Sequence, residues 1–361
     1  MTLLADLTTL RLGGPARTLV EARTEADAIA AVRAADAAKE PVLVLAGGSN
    51  VVVADAGFPG IVVRLMTRGI ERRDEGDTTV LEVQAGEPWD PLVERCVHGR
   101  LAGIECLSGI PGSTGATPIQ NVGAYGQDVS ETIVRVRVLD RLTGAVEELG
   151  AESCEFTYRS SAFKRNPGRW VVLAVTFELR RQSESRPILY PELARALGVE
   201  TGATAPLPDV REAVLGLRRG KGMVIDPGDP DSVSAGSFFT NPILEPAAFA
   251  ELEARVRERV GADARPPGYP EPDGRVKTSA AWLVERAGFG RGYGMPGPAA
   301  ISEKHSLALT NRGGATTVEL LALAREVAAG VRREFGVALV PEPVLVGVEW
   351  IGSGAERSRP E

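Results

Sequence analysis

The chain has 361 residues, 43% of them hydrophobic and 25% charged, which is enough apolar material for two or three packed domains. Its formal net charge of -7 argues against general affinity for nucleic acid or an anionic membrane, so an anionic ligand must be held by local cations or backbone N–H groups. Three cysteines (Cys96, Cys106, Cys154) and two histidines (His98, His305) argue against both a disulfide framework and a His- or Cys-built metal site, and no metal is expected. The N-terminal segment has no basic stretch leading into a long apolar one, and no run reaches transmembrane length, so a cytoplasmic protein is expected.

Taken in order, residues 24–38 carry apolar positions at helical spacing behind Thr24 and Asp27, which stand where a helix N-cap would. Residues 41–46 (PVLVLA) read as a strand buried on both faces, running into Gly47, Gly48, Ser49 and Asn50. A glycine pair after such a strand suits a phosphate-binding turn, and equally a plain tight turn. Residues 60–65 and 79–85 read as strands joined by the polar turn ERRDEGD. Residues 91–101 read as a helix with Leu92, Cys96 and Val97 inward.

Residues 107–126, LSGIPGSTGATPIQNVGAYG, cannot pack a core of their own. Their glycines and small hydroxyl residues offer bare N–H and O–H groups for close approach to a ligand, as in a diphosphate or flavin cradle. The same composition suits a surface loop, but structureless loops of this length are uncommon without a function. Beyond it, 133–139 alternates, with Val134, Val136 and Val138 opposed to Arg135 and Arg137, and 171–179 alternates likewise, the pattern of strands with one wet face. Up to about residue 182 the chain therefore reads as two small α+β units with the glycine-rich turns between them.

FTYRSSAFK (156–164) is aromatic and basic, and Arg159 on residue type alone is a solvated arginine. RPILYPEL follows with Tyr190, then a linker at 200–208 and a helix at 210–219. Arg218, Arg219 and Lys221 supply local cations. In GSFFTNP (236–242), Ser237 reads first as a cap and Asn241 as a turn starter. Residues 268–277 read as a polar loop and 278–287 as a helix with Ala280, Ala281 and Val284 inward. The G-x-G-x-x-G at 292–297 is rejected as a dinucleotide site, because it follows a helical stretch and contains Pro296. His305 stands before an apolar strand and reads as a pocket-wall or packing residue rather than an acid or base, Thr316 and Glu319 form a capping box, and Glu342, between two prolines, is on residue type alone a solvated turn carboxylate.

The run IPGSTGATPIQNVGAYG closely resembles the signature loop of the UDP-N-acetylenolpyruvoylglucosamine reductases, the MurB flavoenzymes of bacterial cell-wall synthesis. The GSN turn, the YRxSxFK stretch, Lys221, GSFFTNP and the LxPE sequence ending in Glu342 extend the resemblance from about Thr9 to Gly347. It implies an α+β fold: a two-lobed FAD-binding module of the vanillyl-alcohol-oxidase/PCMH type plus a C-terminal α+β substrate-binding domain. The expected divisions are 1–66 (lobe 1, joined by 338–352), 67–200 (lobe 2), 209–337 (substrate-binding) and a flexible tail at 353–361.

The same resemblance implies that FAD is held by Gly47, Gly48, Ser49, Asn50, Ile110, Pro111, Gly112, Ser113, Thr114, Gly115, Gln120, Asn121, Gly123, Ala124 and Tyr125. No His stands near the GGSN turn for covalent attachment, so the FAD is expected to be non-covalent. NADPH is the implied hydride donor. Hydride would pass through flavin N5 to C3 of an enolpyruvyl UDP-sugar ether, with Ser237 giving a proton to C2 and Arg159 and Glu342 stabilising the enolate-like charge. Tyr190, Lys221 and Asn241 are the implied substrate contacts, with His305 beside them as a candidate from its place in the chain, and Tyr190 marks the subgroup with an extra loop. A monomer that acts on a small molecule and binds neither nucleic acid nor membrane is expected. Two rivals stand beside this reading: a flavin oxidase of the same module, and a flavin- or nucleotide-binding sensor without turnover.

Overall fold

The computed structural model describes residues 2–350, so the tail expected at 353–361 lies outside the described residues. The chain packs as two compact units, one made of Thr2, Ala16–Gly48 and Phe58–Ile225, the other of Leu3–Pro15, Ser49–Gly57 and the chain from Asp226 onward. Helices and strands are mixed in both, giving the expected α+β character.

In the first unit a three-stranded parallel sheet places Phe58–Leu65 between Ala16–Ala22 and Val42–Leu45. The helix Glu25–Ala37 links two of these strands. Thr24 Oγ1 accepts the Asp27 N–H while Asp27 accepts the Thr24 N–H, a reciprocal cap, and Ala28, Val32 and Ala35 are buried. The strand expected to be buried on both faces is only partly covered: Leu45 alone is buried, because the strand lies at the sheet edge with one neighbour.

The larger sheet of this unit runs Val146–Gly150, Ile133–Asp140, Trp170–Arg181, Thr78–Gln84, Ile70–Glu75, with Leu101–Ala102 pairing the end of the long strand. Most of the expected ERRDEGD turn is thus a strand, in register from Ile70 opposite Val83 to Glu75 opposite Thr78. Pairing overrides the poor strand propensity of its charges, which suit a solvent-facing edge. Val134, expected inward, is exposed: the register slips between Ile133 and Arg135, so Ile133, Val136 and Val138 face the core. The helix Trp89–His98 buries Trp89, Leu92, Val93, Cys96 and Val97 on one face. A second cluster gathers Ile188, Leu193, Val210 and Val214 around the helices Pro191–Leu197 and Leu207–Arg219.

The second unit is built on the helix Thr317–Phe335, whose Leu320, Leu321, Ala324, Val327, Val331 and Phe335 are buried. The expected capping box is present, with the Thr316 and Glu319 side chains each accepting the other's N–H. A sheet of Ser234–Ser237, Ala308–Asn311 and Ala299–Ile301 and a parallel pair, Val51–Val53 with Val344–Val346, complete the frame. The loop expected at 268–277 carries two short strands, Gly268–Pro270 and Val276–Thr278, paired to each other and to Ile243–Leu244. None of the described helices is long and apolar enough to cross a membrane.

Candidate active site

The glycine-rich stretch of the first unit is tied to the start of the helix Trp89–His98 at three points. The Trp89 N–H donates to the Gly112 carbonyl (3.1 Å), Trp89 Nε1 to Leu107 O (3.1 Å), and the Gly109 N–H to Asp90 Oδ1 (2.6 Å). Burial alone would raise the Asp90 pKa. The hydrogen-bonded Arg211 guanidinium and the Gly109 N–H outweigh it and hold the carboxyl below its ordinary range. Segments that could not order themselves are therefore fixed from outside.

Gly47 lies against this stretch. A Cβ built on it would fall 2.6 Å from Gly112 Cα, so only glycine lets the two turns approach. The neighbouring Ser113 Oγ is buried and finds no hydrogen-bond partner among the described residues. A buried hydroxyl left so costs about 1–3 kcal/mol, which a polar ligand atom would relieve. Thr114 and Gly115 direct their N–H groups to the Glu87 and Ala85 carbonyls, so they hold the turn.

Four residues of this region other than glycine adopt left-handed backbone, Asn121 (φ 41°), Tyr125 (φ 50°) and Arg159 (φ 50°) among the expected site residues and Glu155 (φ 45°) outside them. Such conformations persist where the surroundings enforce them, and they concentrate at functional sites. Arg159 is held from both ends. Its guanidinium donates to the carbonyls of Asn121 (3.1 Å) and Gly123, and its own carbonyl accepts Lys164 Nζ (3.0 Å), which also donates to Gln120 Oε1 (2.9 Å). The lysine five residues after Arg159, in YRSSAFK, supplies this brace.

Tyr125 and Tyr190 meet edge to face at 5.4 Å, and Lys221 Nζ sits 5.6 Å from the Tyr125 ring centroid while pairing with Glu192 (2.7 Å). Burial pushes the Tyr125 phenol up to about 12 and the nearby Arg218 guanidinium down to about 10. The Arg218 Nε is buried without a partner among the described residues. Tyr125, expected at the cofactor, thus sits with the residues expected at the substrate.

The remaining predicted residues fall in the second unit. The Glu342 N–H donates to the Phe238 carbonyl (2.8 Å), Phe239 bridges Pro341, and Asn50 Nδ2 reaches the Glu342 carbonyl (3.5 Å). Motifs about a hundred residues apart are thereby set side by side. Ser237 Oγ lies 3.3 Å from His305 Nε2. Thr9 Oγ1 donates to the Ser234 carbonyl (2.7 Å) and lies 3.4 Å from that of Ser49, linking Ser49 to the serine strand within the second unit. Asn241 Oδ1 accepts the Ala280 N–H (3.0 Å), a structural duty at the start of the helix Ala280–Arg286. The G-x-G-x-x-G sequence lies between that helix and the strand Ala299–Ile301. Among the described residues no group of three or more His, Cys, Asp or Glu side chains could hold a metal ion.

Comparison with known proteins adds five findings. A family of FAD binding domains matches residues 16–150, and the UDP-N-acetylenolpyruvoylglucosamine reductase C-terminal domain matches 229–346. The chain is 58% identical over 346 residues to a UDP-N-acetylenolpyruvoylglucosamine reductase of Thermobifida fusca, covering 96% of this chain and 97% of the relative. It is 60% identical over 347 residues to one of Streptomyces avermitilis, covering 96% and 94%. The solved MurB structure from Thermus caldophilus matches in fold with a TM-score of 0.64 at 24% identity, over 96% of this chain and 97% of that one.

Proposed function

The chain belongs to the UDP-N-acetylenolpyruvoylglucosamine reductase family, and from that premise we propose that it is an FAD-containing, NADPH-dependent enzyme converting the enolpyruvyl ether of UDP-N-acetylglucosamine to UDP-N-acetylmuramate. The carrying observation is the cradle in which Gly47 abuts Gly112 beside the Ser113 hydroxyl, unpartnered among the described residues. It fits a group bearing phosphate and ring oxygens. Gly47, Gly48, Ser49 and Asn50, with the residues named from 110 to 125, are assigned to holding FAD non-covalently. When bound, FAD supplies the two-electron carrier between NADPH and the double bond.

The chain's own residues do the rest. Arg159 presents a fixed, permanently charged fork to the substrate carboxylate, better suited to it than a lysine. Glu342, held on backbone between two prolines, stabilises the enolate-like charge with Arg159. Ser237 gives its hydroxyl proton to C2. Lys221, Arg218 and Tyr190 take the diphosphate of the sugar nucleotide, and Asn241 and His305 complete the substrate contacts. By function, 1–66 with 338–352 and 67–200 are assigned to FAD and 209–337 to substrate. The protein is assigned as a cytoplasmic monomer that binds no nucleic acid.

Under anaerobic conditions NADPH should bleach the yellow protein and the enolpyruvyl sugar nucleotide should restore its colour. Reoxidation by oxygen alone would favour an oxidase. Absence of bleaching would leave a sensor.

A further inference from the structure

Ser237 ends the strand Ser234–Ser237, which pairs with Ala308–Asn311 through a register shift: Ser234 opposes Thr310, and Ser237 opposes Ala308. Bulged strands of this kind re-aim a side chain, and they recur beside active sites. Gly236 takes up the irregularity with φ 75°, its N–H held by Ser234 Oγ (3.2 Å). The Phe238 N–H then donates to the Leu307 carbonyl (2.7 Å), so the backbone of Ser237 is clamped at its own position and at the next.

His305 is fixed as firmly. The buried Ser302 hydroxyl accepts the N–H groups of Lys304 (3.0 Å) and His305 (3.1 Å). The turn closes through the Ser302 N–H to Ala308 O (2.8 Å) and the Ala308 N–H to His305 O (3.1 Å). Ala308 is therefore the shared anchor, opposite Ser237 on one side and bonded to His305 on the other. Backbone pairing brings the two residues together, and their Oγ and Nε2 lie 3.3 Å apart.

Resting on the activity assigned above, we propose that His305 is the positioning residue that reloads Ser237, handing a proton from Nε2 to Oγ as the hydroxyl proton leaves for the substrate carbon. A serine that gives up its proton alone becomes an alkoxide, far too basic to form readily near neutral pH. An imidazolium donor removes that cost, since imidazole is the side chain that exchanges protons near neutrality. The transfers balance. The Oγ–H bond breaks as C2–H forms, Nε2–H breaks as a new Oγ–H forms, and the neutral imidazole regains a proton from solvent, His305 being a half-buried residue. No further oxidant or reductant is involved.

Two measurements on the FAD-loaded full chain test this. In anaerobic stopped flow, His305→Ala should lose about a hundredfold in reoxidation by the enolpyruvyl sugar nucleotide, far more than it loses in reduction by NADPH. Free imidazole should recover at least part of that loss, and none of the loss in Ser237→Ala. His305→Gln, which keeps a hydrogen bond but cannot relay a proton, should stay slow. Wild-type reoxidation in His305→Gln, or a loss in His305→Ala that imidazole does not relieve, overturns the relay. Without turnover, Ser237→Ala should shift the ring 15N resonance of His305 and leave that of His98, identified with His98→Gln. An unmoved His305 resonance also overturns it. Should Ser237→Ala reoxidise normally, or the wild type fail to reoxidise with the nucleotide, the underlying activity reading fails instead.

Discussion

Gly47 and Gly112 meet so closely that a Cβ on Gly47 would lie 2.6 Å from Gly112 Cα and 2.9 Å from its carbonyl carbon. Both atoms are backbone, so no rotamer change can make room. Gly47→Ala is expected to push the two turns apart, to destabilise the fold by about 1–3 kcal/mol, and to lose bound flavin first. Flavin absorbance per protein after gel filtration is the check. Retention of wild-type FAD would remove this contact from the cofactor site.

Asp90 links stability to pH. Its carboxyl sits below the ordinary value of 3.8 in the folded chain, where burial is outweighed by Arg211 and the Gly109 N–H. The unfolded chain binds that proton more readily, so the contribution is fully present above the unfolded value and is lost as pH falls through the lower folded one. Asp90→Asn should therefore unfold at lower urea than wild type at pH 7, and the gap should narrow below about pH 4. An equal gap at pH 7 and pH 3 would show that the charge plays no part.

Arg159 stands at φ 50° with its carbonyl on Lys164 Nζ and its fork on two carbonyls of the glycine-rich stretch. Arg159→Lys removes the planar fork and should slow reoxidation by the sugar nucleotide by about 10²–10³. Lys164→Met leaves the fork in place but loosens its support, and a tenfold to hundredfold loss, roughly, is expected from misplacement alone. Rapid-mix traces of both half-reactions separate these effects from lost NADPH reduction.

What could be read beforehand was chemistry that announces itself locally. Thr316 with Glu319 spells a cap, so that element start followed from residue type. The stretch from Gly109 to Gly126 reads as unable to pack a core of its own, yet Thr114, Thr117 and Asn121 are buried in it against the neighbouring core. Partnership could not be read so. Ile70–Glu75 is a strand because Thr78–Gln84 pairs with it, and Val134 faces outward because of one register slip. Ser237 and His305, sixty-eight residues apart, meet through a shared neighbour in a sheet whose register no local pattern states. The family resemblance implies roles for Arg159 and Glu342, whereas the brace from Lys164 and the Asp90 tether depend on tertiary packing that no local pattern states.

Glu192 gives the last expectation. Its carboxylate holds Lys221 Nζ at 2.7 Å, and both side chains are about a third exposed, at 36% and 34%. A diphosphate bound by Lys221 must displace this internal anion or share the lysine with it. Exposed pairs of this kind contribute about 0.2–1 kcal/mol, so neutralising the competitor should tighten a diphosphate ligand by no more than about fivefold. Glu192→Gln is accordingly expected to bind UDP more tightly at low salt, with the advantage fading as salt screens it. Lys221→Met should weaken UDP in either background. Calorimetric titration at two ionic strengths decides: an unchanged or weaker affinity in Glu192→Gln would mean that the pair orients Lys221 for its ligand instead of withholding it.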